Sequence, residues 1–176
     1  LSKSRRAAGP RRFSPEDGLS NLAQNVLITF AAARKRPVMN TNASTGTSAT
    51  KKIVLVDDDD NIRKTFALVL GKKYRIVPLK DPRQALSQVK SGRTDLIIAD
   101  YKLPYFNGME LIKRLRENGY EGEAMLITAH PDEVRIEDMG RYDISHFFVK
   151  PLDLNDLNLS IDRVLFPKNP LDAAAE

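Results

Sequence analysis

Cysteine is absent from the 176 residues, so the chain has no disulfide, no thiolate metal site and no cysteine nucleophile. That absence fits a reducing compartment such as the cytoplasm. No apolar run reaches the roughly 18–20 residues that a bilayer-spanning helix needs, and no membrane span is expected. No internal repeat is visible, and the length accommodates one domain with a full core, hardly two. An even spread of charge is lacking too. The net charge is +5, yet residues 1–50 hold eight Lys/Arg against two Asp/Glu, leaving 20 basic and 21 acidic groups in the remaining 126 residues. The basic excess belongs to the N-terminal extension. It gives no ground for direct nucleic acid binding by the folded body.

Residues 1–50 read as an extension outside the core. A basic Gly/Pro-containing run, Ser4 to Arg12, opens it, and the polar stretch NTNASTGTSAT (40–50) closes it as a linker. Between them, residues 19–33 have the pattern of a short amphipathic helix, bordered by Arg34-Lys35-Arg36-Pro37. Three readings are open: a membrane-surface or targeting helix, a disordered arm for an acidic partner, or a non-native segment with Met39 as the natural start. The third is favoured, because the chain opens on Leu.

From Lys51 the pattern alternates. Ile53-Val54-Leu55-Val56 is a buried-strand run, followed by four acids, Asp57 to Asp60, and then a helical pattern over 61–70. A second strand is predicted over 74–79 and a helix over 82–90, with Pro82 at its first position. Asp95 to Asp100 is a third strand, and Asn107 opens a helix to about residue 117 with Met109, Leu111, Ile112 and Leu115 facing inward. A fourth strand is predicted over 124–128, a less apolar helix over 132–141, a fifth strand over 147–149 and a last helix over 153–166. Asp59 and Asp60 read as loop and helix cap, with Asp60 or Asn61 as the capping residue. Residues 167–176 form a short tail. Five strands alternating with five helices through short links predict right-handed βαβ crossovers and a three-layer α/β sandwich on a parallel sheet.

In such a fold every strand's carboxyl end lies on one edge, the usual place for a ligand. The chain puts Asp57 and Asp58, Asp100, Thr128 and Lys150 there. Three carboxylates crowded together would repel, and a divalent cation relieves them. The ligands are all oxygen, without His or Cys, which points to Mg²⁺ or Mn²⁺. A hydroxyl and an ammonium facing a metal-bound carboxylate are what a phosphoryl group needs.

Four segments, VDDDD (56–60), IIADYKLPYFNG (97–108), LITAH (126–130) and FFVKP (147–151), in this order, give residues 51–166 a close resemblance to the response-regulator receiver domain, the CheY-like fold of two-component signalling. The resemblance implies a flavodoxin-like sheet of order 2-1-3-4-5, the order that CheY itself exemplifies. It implies that Asp100 is the phosphoacceptor, that Asp58 binds Mg²⁺ directly, and that Asp57 does so directly or through water. The backbone carbonyl of Lys102 would be the third protein ligand. Thr128 would hydrogen-bond the phosphoryl group, Lys150 would pair with it, and Phe147 stands where the family has a rotating aromatic switch. Lys150–Pro151 stands where a cis bond is common. Lys102 and His130 are candidates for tuning phosphoryl lifetime.

The implied protein is a phosphorylation-controlled regulator and not an enzyme. It would be a cytoplasmic, stand-alone receiver that accepts its phosphoryl group from a histidine kinase or phosphotransfer protein and signals to a downstream target protein by contact. Two alternatives remain at this stage: an Mg²⁺-dependent hydrolase or phosphatase with an Asp nucleophile, and a receiver cut from a longer DNA-binding regulator. Two departures from the family pattern stand out. Asp143-Ile144 occupy positions where Gly-Ala is frequent, and Tyr105-Phe106 put two aromatics beside the site.

Overall fold

The computed structural model describes residues 50–90 and 92–167. The extension, its helical segment over 19–33, the linker and most of the 167–176 tail lie outside the described residues. The elements run β1 (Lys52–Val56), α1 (Asp60–Leu70), β2 (Arg75–Leu79), α2 (Pro82–Lys90), β3 (Leu96–Asp100), α3 (Gly108–Glu117), β4 (Glu123–Thr128), α4 (Ile136–Arg141), β5 (His146–Val149) and α5 (Leu154–Leu165). The five strands form one sheet of order β2-β1-β3-β4-β5, and all four neighbouring pairs are parallel. This is the flavodoxin-like order expected of the resemblance.

The continuous apolar strands follow from the layering. Successive side chains of a strand point to opposite faces, and helices cover both, so both must be apolar. Val54, Val56, Ile97, Ala99, Ala124 and Leu126 pack on one face with Ala85 of α2, Met109, Leu111, Ile112 and Leu115 of α3, and Met139 of α4. On the other face Ile53, Leu55, Leu96, Ile98, Met125, Ile127 and Phe148 meet Phe66 and Leu70 of α1 and Leu157, Ile161 and Leu165 of α5. Burial of each Val, Leu, Ile, Phe or Met among them is worth roughly 1.5–3 kcal/mol, so the central strands anchor the carboxyl edge on which the acids stand. Pro78, which has no N–H to donate, sits in the edge strand β2.

Two local expectations are corrected, at the cap of α1 and in the helix over 132–141. The cap of α1 is Asp59, whose carboxylate accepts the backbone N–H of Asn61 at 2.8 Å, in place of Asp60 or Asn61. Leu68 and Val69 turn to solvent, because the buried face of α1 follows the four-residue spacing of Ile62, Phe66 and Leu70. The helix expected over 132–141 is divided into a 3₁₀ turn at Pro131–Glu133 and a short α4 from Ile136. Val134 and Arg135 between them are extended, with Val134 buried in the core. A β-branched side chain drawn inward interrupts the helical run.

Candidate functional site: an acid pocket at the carboxyl edge of the sheet

The sheet register assembles the site. Val56 pairs with Ala99, so Asp57 stands level with Asp100; Asp100 pairs with Ile127, so Thr128 lies one residue beyond; Thr128 pairs with Val149, so Lys150 follows one further. Four residues distant in sequence, Asp57, Asp100, Thr128 and Lys150, therefore share one edge at the ends of β1, β3, β4 and β5.

Asp100 and Asp57 are buried, at 6% and 1% exposure. Lys150 lies between them, its Nζ 2.6 Å from Asp100 Oδ1 and 3.1 Å from Asp57 Oδ2. The backbone N–H of Lys102 donates to Asp100 Oδ2 at 2.9 Å, and that of Asp59 donates to Asp57 Oδ1 at 2.8 Å. Burial pushes the Asp100 carboxyl above its ordinary range, and the Asp57 carboxylate adds to the rise, while Lys150 opposes it. Lys150 is in turn held above the ordinary lysine value by its two carboxylate partners, against the cost of its own burial. Two acids therefore share one ammonium, and the pocket has capacity for further positive charge.

Thr128 is fully buried and its Oγ1 accepts the backbone N–H of His130 at 2.9 Å, which fixes the hydroxyl oxygen beside the edge. Phe147 is half-buried against the core face that carries α3 and α4. The Lys150–Pro151 bond is cis. Lys102 and His130 flank the mouth, both exposed. Lys102 Nζ is 2.7 Å from Glu133 Oε1, and this partner raises its pKa.

Asp58 departs from the crowding expected of three carboxylates: it is exposed, at the rim and not in the pocket. Among the described residues no group of three or more His, Cys, Asp or Glu side chains is close enough to hold a metal alone. Two carboxylates converge, and one lysine is shared between them. Even so, the donor chemistry fits a hard divalent cation. Buried acid oxygens short of positive charge, a third acid at the rim and backbone carbonyls nearby match an oxygen-ligated Mg²⁺ that keeps several waters.

Two residues escaped the sequence reading. Arg63 Nη1 donates to the Asp57 carbonyl at 2.6 Å while Nη2 bonds Asp60 at 2.9 Å, tying α1 to the end of β1. Its place one turn into α1, after four acids, is the only signal that could have exposed it. Glu133 had none, because its nearest cation, Lys102, comes from another loop. The two departures are accommodated. Asp143 adopts a positive φ of 59°, which Asp tolerates, and Ile144 is buried in the core. Tyr105, with φ of 73°, is exposed and stacks under the Arg83 guanidinium 3.7 Å from its ring centroid, while Phe106 packs inward under Arg114.

A profile of the response regulator receiver domain matches residues 53–162. The chain belongs to this family. Regulatory protein AtoC of Escherichia coli is 27% identical over 122 residues, which are 67% of this chain and 26% of AtoC. Sporulation initiation phosphotransferase F of Bacillus subtilis is 28% identical over 116 residues, 65% of this chain and 94% of that protein. Among solved structures, response regulator TrrA of Thermotoga maritima, in complex with Mg²⁺-BeF, aligns with a TM-score of 0.59 at 26% identity, covering 66% of this chain and all of that one. The chain thus spans about a quarter of the length of AtoC and nearly the whole of the phosphotransferase. The receiver's described residues contain no helix long and apolar enough to cross a membrane.

Proposed function

We propose that this receiver is a phosphoacceptor regulator of a two-component system or phosphorelay, with Asp100 as the accepting residue. The observation that carries the reading is the buried Asp100 carboxylate itself, with one oxygen on Lys150 Nζ and the other on the Lys102 amide. Those contacts hold the carboxylate in one orientation, which is most of what phosphoryl transfer asks of a protein. The donor is a phosphohistidine of a histidine kinase or phosphotransfer protein. An Asp100 oxygen attacks phosphorus as the P–N bond breaks, the bonding electrons return to the imidazole nitrogen, and that nitrogen takes up a proton. An acyl phosphate results.

Lys150 pairs with the incoming phosphoryl oxygens, and the Thr128 hydroxyl donates a hydrogen bond to them. Asp57, Asp58, Asp100 and the Lys102 carbonyl would hold Mg²⁺, which when bound neutralises charge on the transferring group. Mn²⁺ has the same ligand preference. Engagement of Thr128 draws on the link that follows β4, and Phe147 next to it reorients. The surface of α4, β5 and α5 then presents a different face to a downstream target protein. The output is contact and not turnover of a substrate.

Incubation with acetyl phosphate and Mg²⁺, followed by intact-protein mass spectrometry, tests the reading. One phosphoryl group is expected on the wild type and none on Asp100→Asn; equal labelling of the two would sink the assignment. Turnover of a free phosphomonoester at roughly 1 s⁻¹ or faster would support a hydrolase in its place.

A further inference from the structure

Lys102 and His130 stand on different loops, one after β3 and one after β4, and a single carboxylate reaches toward both. Glu133 Oε1 is 2.7 Å from Lys102 Nζ and 4.0 Å from His130 Nδ1. The backbone of the same residue is held from the same side, since Tyr101 Oη donates to the Glu133 carbonyl at 3.0 Å. Residues 101 and 102 directly follow Asp100, and residues 131–133 form the turn between Thr128 and α4. This turn is lightly built. It is three residues long, its backbone bonds from Glu133 to His130 and from Val134 to Pro131 are both 3.2 Å, and α4 after it lacks a side-chain cap. A polar bridge therefore joins the loop that follows Asp100 to the loop that follows Thr128.

We propose that Glu133 is a positioning residue that holds the Lys102 ammonium aside from Asp100 and so governs the lifetime of the acyl phosphate. The inference rests on the phosphoacceptor reading and adds to it a residue outside the pocket. A phosphoryl group on Asp100 brings close to two negative charges next to Lys102. Glu133 competes for that ammonium with a single charge, in an exposed pair 2.7 Å long. While Glu133 keeps Lys102, the approach to phosphorus stays open. Water oxygen then attacks phosphorus, the P–O bond to Asp100 breaks with its electron pair returning to the carboxylate, and the released proton passes to solvent. When Lys102 leaves Glu133 for the phosphoryl group, its four-carbon stem covers that approach. The 131–133 turn loses one of its two ties to the β3 loop in the same step.

The test measures acyl-phosphate half-life in wild type, Glu133→Gln, Lys102→Ala and the double variant, after labelling with acetyl phosphate and Mg²⁺. Glu133→Gln is expected to lengthen the half-life roughly two- to fivefold, the range an exposed ion pair can shift. In the Lys102→Ala background the same substitution is expected to change nothing, because a double-mutant cycle isolates the pair. An unchanged or shortened half-life in Glu133→Gln would overturn the proposal. So would a lengthening that persists without Lys102, which would assign the effect to His130 or to the turn alone. Labelling of the wild type decides the underlying phosphoacceptor reading separately: a wild type that takes no label overturns both, whereas a labelled wild type with equal half-lives overturns only the role of Glu133.

Discussion

Lys150 Nζ lies 2.6 Å from Asp100 Oδ1, and the pair stands at the closed end of a pocket whose other wall is the Asp57 carboxylate, 3.1 Å from the same ammonium. One cation therefore serves two buried acids. The arrangement ties β1, β3 and the end of β5 together while leaving two carboxylates to one cation.

That shortage has a pH signature. Burial and the neighbouring Asp57 raise the Asp100 pKa above 3.8 even with Lys150 beside it. The folded state then binds more protons than the unfolded state between 3.8 and the raised value, so stability falls as pH rises through that window. The penalty is complete above the raised value and absent below the unfolded one. Asp100→Asn removes it while keeping a hydrogen-bonding side chain. In metal-free buffer the variant is expected to melt above wild type at pH 7, with the difference shrinking as pH falls toward 3.8 and below. Thermal melts across this range check it; a lower Tm for the variant at neutral pH would contradict the account.

The two acids that end β1 are expected to behave differently although they are sequence neighbours. Asp57 is 1% exposed and bonds the Asp59 amide and Lys150, so Asp57→Ala strips a partly buried ammonium of one of its two carboxylates and a backbone N–H of its partner. A loss of roughly 1–3 kcal/mol is expected without any metal. Asp58 is exposed, and Asp58→Ala should leave metal-free stability within about 0.5 kcal/mol of wild type. Added Mg²⁺ is expected to raise the Tm of the wild type, through linkage of binding to folding, and to do so much less in Asp58→Ala. An equal Mg²⁺-dependent shift in both proteins would remove Asp58 from the ligand set.

Much of this was legible in the chain. Four-residue apolar runs such as Ile53–Val56 and Leu96–Ala99 suit strands covered on both faces, and their short links to helices leave few topologies. Acids placed where those runs stop had to share an edge. The difference between Asp57 and Asp58 was not legible, because both are the same residue type. Strand alternation turns one in and the other out, and the Asp59 cap then fixes the turn. The break near Val134 was hidden for a related reason: helical spacing over 132–141 is satisfied locally, while burial of Val134 is decided by α3 and β4. Glu133 belongs to the same class, since its meeting with Lys102 depends on two loops whose lengths the sequence shows and whose approach it does not.

Gly108 shows the limit most sharply. Asn107-Gly108 reads as turn chemistry at a helix start, and Asn107 does cap α3, its side chain accepting the Glu110 amide at 2.8 Å. Gly108 is required for another reason. A Cβ built there would lie 2.2 Å from the Asp100 carbonyl oxygen and 3.0 Å from Leu126 Cδ1, so the first turn of α3 rests directly on the backbone of Asp100. Gly108→Ala must displace that carbonyl, at a cost of roughly 1–3 kcal/mol for the overpacking. Labelling by acetyl phosphate is expected to slow as well, because the displaced peptide carries Asp100 out of register with Lys150. Gly119→Ala supplies the control: its φ of +83° makes the substitution costly by about 1–2 kcal/mol, yet nothing lies within 4 Å of the new Cβ and the site is at the opposite edge of the sheet. Both variants should melt early and only Gly108→Ala should label slowly. If the two label at the same rate, the contact between Gly108 and Asp100 matters for stability alone.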